Sequence, residues 1–112
     1  MKDKTIEKLD QEIAAVQQAL LGIGPMRPGT LSRQYHRPSE KEGGYWQLSY
    51  TYQRRSHTEH VREEELDGVK EQLKEYIRLK ELCGTWVDLA LKRSRRARDL
   101  SRSNTRGTAK PQ

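Results

Sequence analysis

The chain has 112 residues, of which 32% are hydrophobic and 34% charged, with no Phe; this allows one small domain with a modest core and leaves part of the chain without packing. No apolar run approaches the roughly 18 residues of a membrane span, and "MKDKTIEKLDQE" lacks a signal peptide's apolar segment. The single Cys83 excludes an intrachain disulfide and fits a reducing compartment, so the expectation is a cytoplasmic protein.

The net charge of +6 is unevenly spread. From Lys92 onward there are eight basic residues and one acid, a net +7, so the rest of the chain is close to neutral. Such asymmetry points to a polyanionic partner.

Residues 3–21 carry apolar residues at Ile6, Leu9, Ile13, Val16 and Leu20, in steps of three and four. That spacing predicts a helix with one apolar stripe. The stripe spans fewer than three heptads, so it needs a covering surface. That surface is either in the same chain or in a second copy, which would make a homodimer. "GIGPMRPG" ends the helix, with Gly22 and Gly24 available for a left-handed cap and two prolines to stop continuation.

"TLSRQYHR", residues 30–37, reads as a short strand, and "RPSEKEGG" as a polar loop. "YWQLSYTY", residues 45–52, is the best strand in the chain and holds four of its seven aromatics. Alternation places Trp46, Leu48, Tyr50 and Tyr52 on one face, and Tyr45, Gln47, Ser49 and Thr51 on the other. "QRRS" then turns the chain without the Gly or Asn-Gly that tight hairpins prefer. "HTEHVR" is the third strand of an antiparallel meander. Residues 63–98 form one long helix, with acids at its start and basic residues at its end, as the helix dipole favours. Its broad apolar stripe, which includes Cys83 as a small core residue, suits packing on both a helix and a sheet. Residues 99–112 read as a disordered basic tail. The expected fold is α+β, a single domain over 1–98 followed by that tail.

"GPMRPGTLSRQY", "GGYWQLSYTYQRR" and "VKEQLKEYIRLKELC" carry a resemblance. Over Gly24 to about Cys83 the chain resembles a family of small uncharacterised prokaryotic proteins found near transposases and other mobile elements. The resemblance implies this architecture and a mobile-element setting, but no activity. Members commonly hold a metal-binding cysteine cluster between the first two strands. Here that place reads "HRPSEKEGG", without cysteine.

Several features bear on function. The face of Trp46, Leu48, Tyr50 and Tyr52 is either the core against the long helix or a platform for stacking bases. The face of Tyr45 and Gln47 is either solvated or a nucleic-acid contact. Arg33, Arg37, Arg54, Arg55 or His57 would join it, depending on register. Lys92, Arg93, Arg95, Arg96, Arg98 and Arg102 are the phosphate-binding candidates, against the alternative of a merely solubilising end. His57 and His60 stand three apart, on opposite faces of a strand, so they do not chelate together. No catalytic constellation or nucleotide loop is visible, and no metal or other cofactor is expected. The expectation is a non-enzymatic nucleic-acid-binding accessory protein of a mobile element, with DNA ahead of RNA as its partner. The alternative is a protein-interaction module that docks a transposase or recombinase.

Overall fold

In the computed structural model, the described residues are 3–37, 39 and 42–107. The elements run in order: helix α1 (Lys4–Leu21), strands β1 (Thr30–Arg37), β2 (Glu42–Tyr52) and β3 (Arg55–Val61), a 3-10 turn (Glu63–Glu65) and helix α2 (Leu66–Gly107). The fold is α+β, and the three strands form an antiparallel meander in the order β1-β2-β3. These residues group into two units. One consists of α1 and α2 from Lys80 onward; the other is Ile23–Leu79.

In the helical unit, Asp3 caps α1 by accepting a hydrogen bond from the Ile6 N–H at 3.0 Å. The apolar stripe of α1 is spent within the chain. Leu9 and Val16 are buried with Leu89, and Ile13, Leu20, Leu82 and Trp86 pack against them. The helices are antiparallel, because Asp3 pairs with Arg96 and Asp10 with Arg93. The cap of α1 differs from the expectation. Gly22 has φ −88° and closes the helix by donating to the Ala19 and Leu20 carbonyls, so no left-handed cap forms. Two of the last carbonyls, those of Ala19 and Leu20, are thus satisfied locally without one.

In the sheet unit, Leu48 is completely buried with Val61 and Leu66, and Leu31, Trp46, Val69 and Leu73 pack around them. One face of the sheet is thus covered by the first turns of α2. The N-terminal loop is tied to the same helix, since Arg27 N–H donates to the Gln72 carbonyl at 3.2 Å. Gly29, with φ 143°, lies so close to Leu48 that a Cβ there would stand 2.6 Å from Leu48 Cδ1. The β2–β3 connection is a two-residue turn in which Gln53 (φ 51°) and Arg54 (φ 66°) are both left-handed. That is the geometry such a hairpin requires, met here without glycine.

The structure departs from a simple reading of the sequence in three places. Tyr52 is 54% exposed, because the face it shares with Leu48 extends beyond the cover that α2 gives the sheet. Cys83 is exposed rather than a core residue, as are Ile77, Val87 and Leu91. Only one side of α2 meets α1, so its apolar stripe is wider than the surface available to bury it. The helix also continues past Arg98 through Gly107, where a disordered segment was expected from residue 99. Residues 108–112 of that tail lie outside the described residues.

Candidate nucleic-acid interface

The basic residues of α2 fall into two sets. Leu82, Trp86, Leu89, Arg93 and Arg96 recur at steps of three and four and face α1. Arg96 Nη2 donates to Asp3 Oδ2 at 2.8 Å, and Arg93 Nε donates to Asp10 Oδ1. The hydrogen bond from Arg96, ahead of that from the Ile6 N–H, holds the Asp3 carboxyl below the usual aspartate range. The bond to Asp10 raises the Arg93 guanidinium in turn. These two arginines are committed to holding the helix pair together.

Arg95, Arg98 and Arg102 recur at spacings of three and four on the opposite side of the helix, with Lys92 at its flank, and all four are exposed. None of them is ion-paired among the described residues. At 1.5 Å of rise per residue, Arg95 and Arg102 stand about 10 Å apart along the axis. That is about three nucleotide steps along one strand at ~3.4 Å each. Such a row can follow a phosphate backbone.

The register of the sheet decides the other candidates. Arg33 stands opposite Trp46, and Arg55 opposite Tyr52, so both lie on the face of Leu48. Arg37 is in register with Glu42 and shares that side by alternation. Tyr45 and Gln47 lie on the other face. The sheet therefore does not bring Arg33, Arg37 and Arg55 to the Tyr45–Gln47 face. Arg54 sits at the turn.

Arg33 has a different place. Its guanidinium lies 5.3 Å from the Trp46 ring centroid and 5.9 Å from that of Tyr35. It covers Gly44 so closely that a Cβ there would be 2.6 Å from Arg33 Nη2. Arg33 Nη1 also donates to Glu63 at 3.4 Å, and Lys70 Nζ lies 5.6 Å from the Trp46 centroid. Trp46 is thus a half-buried ring with two cations near it. This occupancy by the chain's own side chains weighs against a base on that ring.

Farther along the same face, Tyr50 stacks on His57 with centroids 4.8 Å apart and planes at 17°. Arg27 lies 5.1 Å from the Tyr50 centroid and holds Glu59 through two hydrogen bonds of 3.2 and 2.9 Å. The bond from Arg27 keeps the Glu59 carboxyl below its usual range. The bond to Glu59 moves the Tyr50 phenol above its usual range. These contacts link the loop after α1 to β2 and β3, and sequence spacing alone gave no sign of them.

The polar face also holds histidines that the sequence reading did not assign to it. His36 packs on Tyr45 with centroids 4.9 Å apart, and Tyr45 on His60 at 5.7 Å. Strand alternation puts His60 on this face once the register is known. His57 and His60 do fall on opposite faces. Among the described residues no three His, Cys, Asp or Glu side chains gather to hold a metal ion. No helix among them is long and apolar enough to cross a membrane.

No family model, curated protein or solved structure matches the chain.

Proposed function

We propose that this protein binds nucleic acid without acting on it chemically, with DNA as the first partner. The exposed row of Arg95, Arg98 and Arg102 beside Lys92 is the observation that carries this reading. Four cations on one element, none ion-paired among the described residues, repel one another, and a phosphate backbone relieves that repulsion while its counterions are released. The polar face of the sheet, with Tyr45 and Gln47, supplies contacts that do not depend on charge. The protein works as an accessory of a mobile element, a setting that rests on the motif resemblance alone, and in the cytoplasm, with which the single Cys83 is in keeping.

A second reading has its own support. Val87, 57% exposed, and Leu91, 48% exposed, continue the line of Arg95, Arg98 and Arg102 along α2. Such a strip fits the docking of a partner helix, for instance from a transposase or recombinase.

Titration of labelled duplex DNA with the full chain separates the two. Replacing Lys92, Arg95, Arg98 and Arg102 by Gln is expected to abolish most binding, while the uncharged pair Val87→Gln with Leu91→Gln leaves it intact. Absence of binding by the wild-type chain at about 50 mM salt, where phosphate contacts are strong, removes the nucleic-acid reading and leaves the docking module.

A further inference from the structure

On the side of α2 turned away from α1, Val87 and Leu91 are both exposed. Beside them Glu81, Asp88, Arg95 and Arg102 recur every seven residues, close to two full turns, so the four fall on one line along the helix. All four are exposed, and none is ion-paired among the described residues. The line is about 32 Å long at 1.5 Å of rise per residue. Its charges read acid, acid, base, base.

We propose that two copies of this chain pair antiparallel through this side of α2, and that the pairing competes with nucleic acid for Arg95 and Arg102. The competition rests on the nucleic-acid reading above; the pairing itself does not.

The order of the charges selects the occupant. A second α2 laid antiparallel reads base, base, acid, acid from the same end. Glu81 of each copy then stands opposite Arg102 of the other, and Asp88 opposite Arg95, so every charge of the line meets its opposite. A parallel copy in register sets like charges against one another instead. The two-fold axis falls midway between Asp88 and Arg95, beside Leu91. Leu91 of both copies therefore meets at the centre, with Val87 about one turn to either side. The exposed apolar side chains are covered where the charges pair. Arg98 of each copy comes level with the space between Glu81 and Asp88 of the other, so it too gains acidic neighbours. An unrelated helix would have to carry its own matching order of charges, whereas a second copy has it by symmetry. Two apolar side chains per copy make a small contact, so the association is weak, and exposed ion pairs make it sensitive to salt. Cys83 is exposed but does not cross-link this pair. In this register the two Cys83 residues stand about 25 Å apart along the axis, beyond the reach of a disulfide.

The test is sedimentation velocity of the full-length chain in reductant, at about 50 mM and about 500 mM salt, with protein up to about 1 mM. A monomer–dimer equilibrium that weakens at the higher salt is expected. Glu81→Arg with Asp88→Arg makes the whole line basic and should weaken association by at least about 10-fold. Arg95→Glu with Arg102→Glu makes it acidic and should do the same. Mixing the two variants restores a dimer, and so does one chain carrying all four changes, a result that misfolding does not give. Added duplex DNA is expected to convert the wild-type dimer into DNA-bound monomer. The pairing is overturned if the wild-type chain stays monomeric, if its dimer forms only when Cys83 is oxidised, or if the opposite charge reversals fail to restore association when mixed. DNA that binds without loss of the dimer overturns the competition. A chain that dimerises in this way but binds no DNA keeps the pairing and ends the nucleic-acid reading; one that binds DNA and never dimerises does the reverse.

Discussion

Leu48 has 0% exposure and sits among Leu31, Val61, Leu66 and Leu73, where a truncation cannot be refilled by solvent. Leu48→Ala is expected to cost about 2–5 kcal/mol, a large part of the roughly 5–15 kcal/mol that a domain commands. Trp46 is only half-buried, so Trp46→Ala should cost about 3 kcal/mol or less, below the usual range for a buried Trp. Urea melts of the two variants check the order; equal losses would make the indole the anchor of the sheet instead. The turn offers the opposite kind of change. Gln53 and Arg54 both hold left-handed backbone, which costs a non-glycine residue about 1–2 kcal/mol. Arg54→Gly should therefore stabilise the fold by about 1 kcal/mol. If the same variant also binds DNA more weakly, the Arg54 side chain reaches the ligand; unchanged binding makes it a turn residue only.

Helix α1 depends on one residue for two tasks, since Asp3 caps its first turn and pairs with Arg96. Its carboxyl is held below the ordinary range in the folded chain. Unfolding returns it to about 3.9. The unfolded state then binds the proton more readily, so the contribution is complete above that value and is lost as pH falls through the lowered folded value. The Arg27–Glu59 pair of the sheet unit has the same sign. The melting temperature should hold from neutral pH down to about 5 and fall below about 4. Asp3→Asn keeps a capping oxygen but removes the charge. It should melt lower than wild type at pH 7, and the two curves should converge in acid. A constant gap across the pH series would mean that the ion pair with Arg96 adds nothing to the helix pair.

At the scale of the whole molecule the question is how charge is divided between holding the fold and meeting a partner. Arg93 and Arg96 are paired with α1, while Lys92, Arg95, Arg98 and Arg102 are turned outward. Each phosphate neutralised on duplex DNA adds about −0.9 to the slope of log affinity against log salt. Changing the four outward residues to Gln should flatten that slope by roughly three to four units. Preference among sequences should survive, because phosphate contacts position a protein without reading bases. The measurement is a salt titration of both proteins on several duplexes. A slope that does not change would show that the row does not meet the phosphates.

Periodicity within single segments was sufficient for the order of elements, the bounds of β1, the stripe of α1 and the alternation along β2. Those signals are local: a step of two or of three and four residues appears in the chain before anything packs. The same alternation separated Tyr45 and Gln47 from Trp46 and Leu48. It could not place Arg33 or Arg55 relative to them, because a strand's own pattern leaves its pairing with a neighbour free by one residue, and one residue exchanges the faces. Register thus gave Arg33 to Trp46, and set His36 and His60 on either side of Tyr45. Along α2 the chain displays a dense run of cations but not which of them are already neutralised. That depends on Asp3 and Asp10, far away in sequence, and on which side of the helix α1 covers. The exposure of Cys83, Val87 and Leu91 has the same origin, since an apolar side chain is buried only where the folded chain has a surface to lay against it.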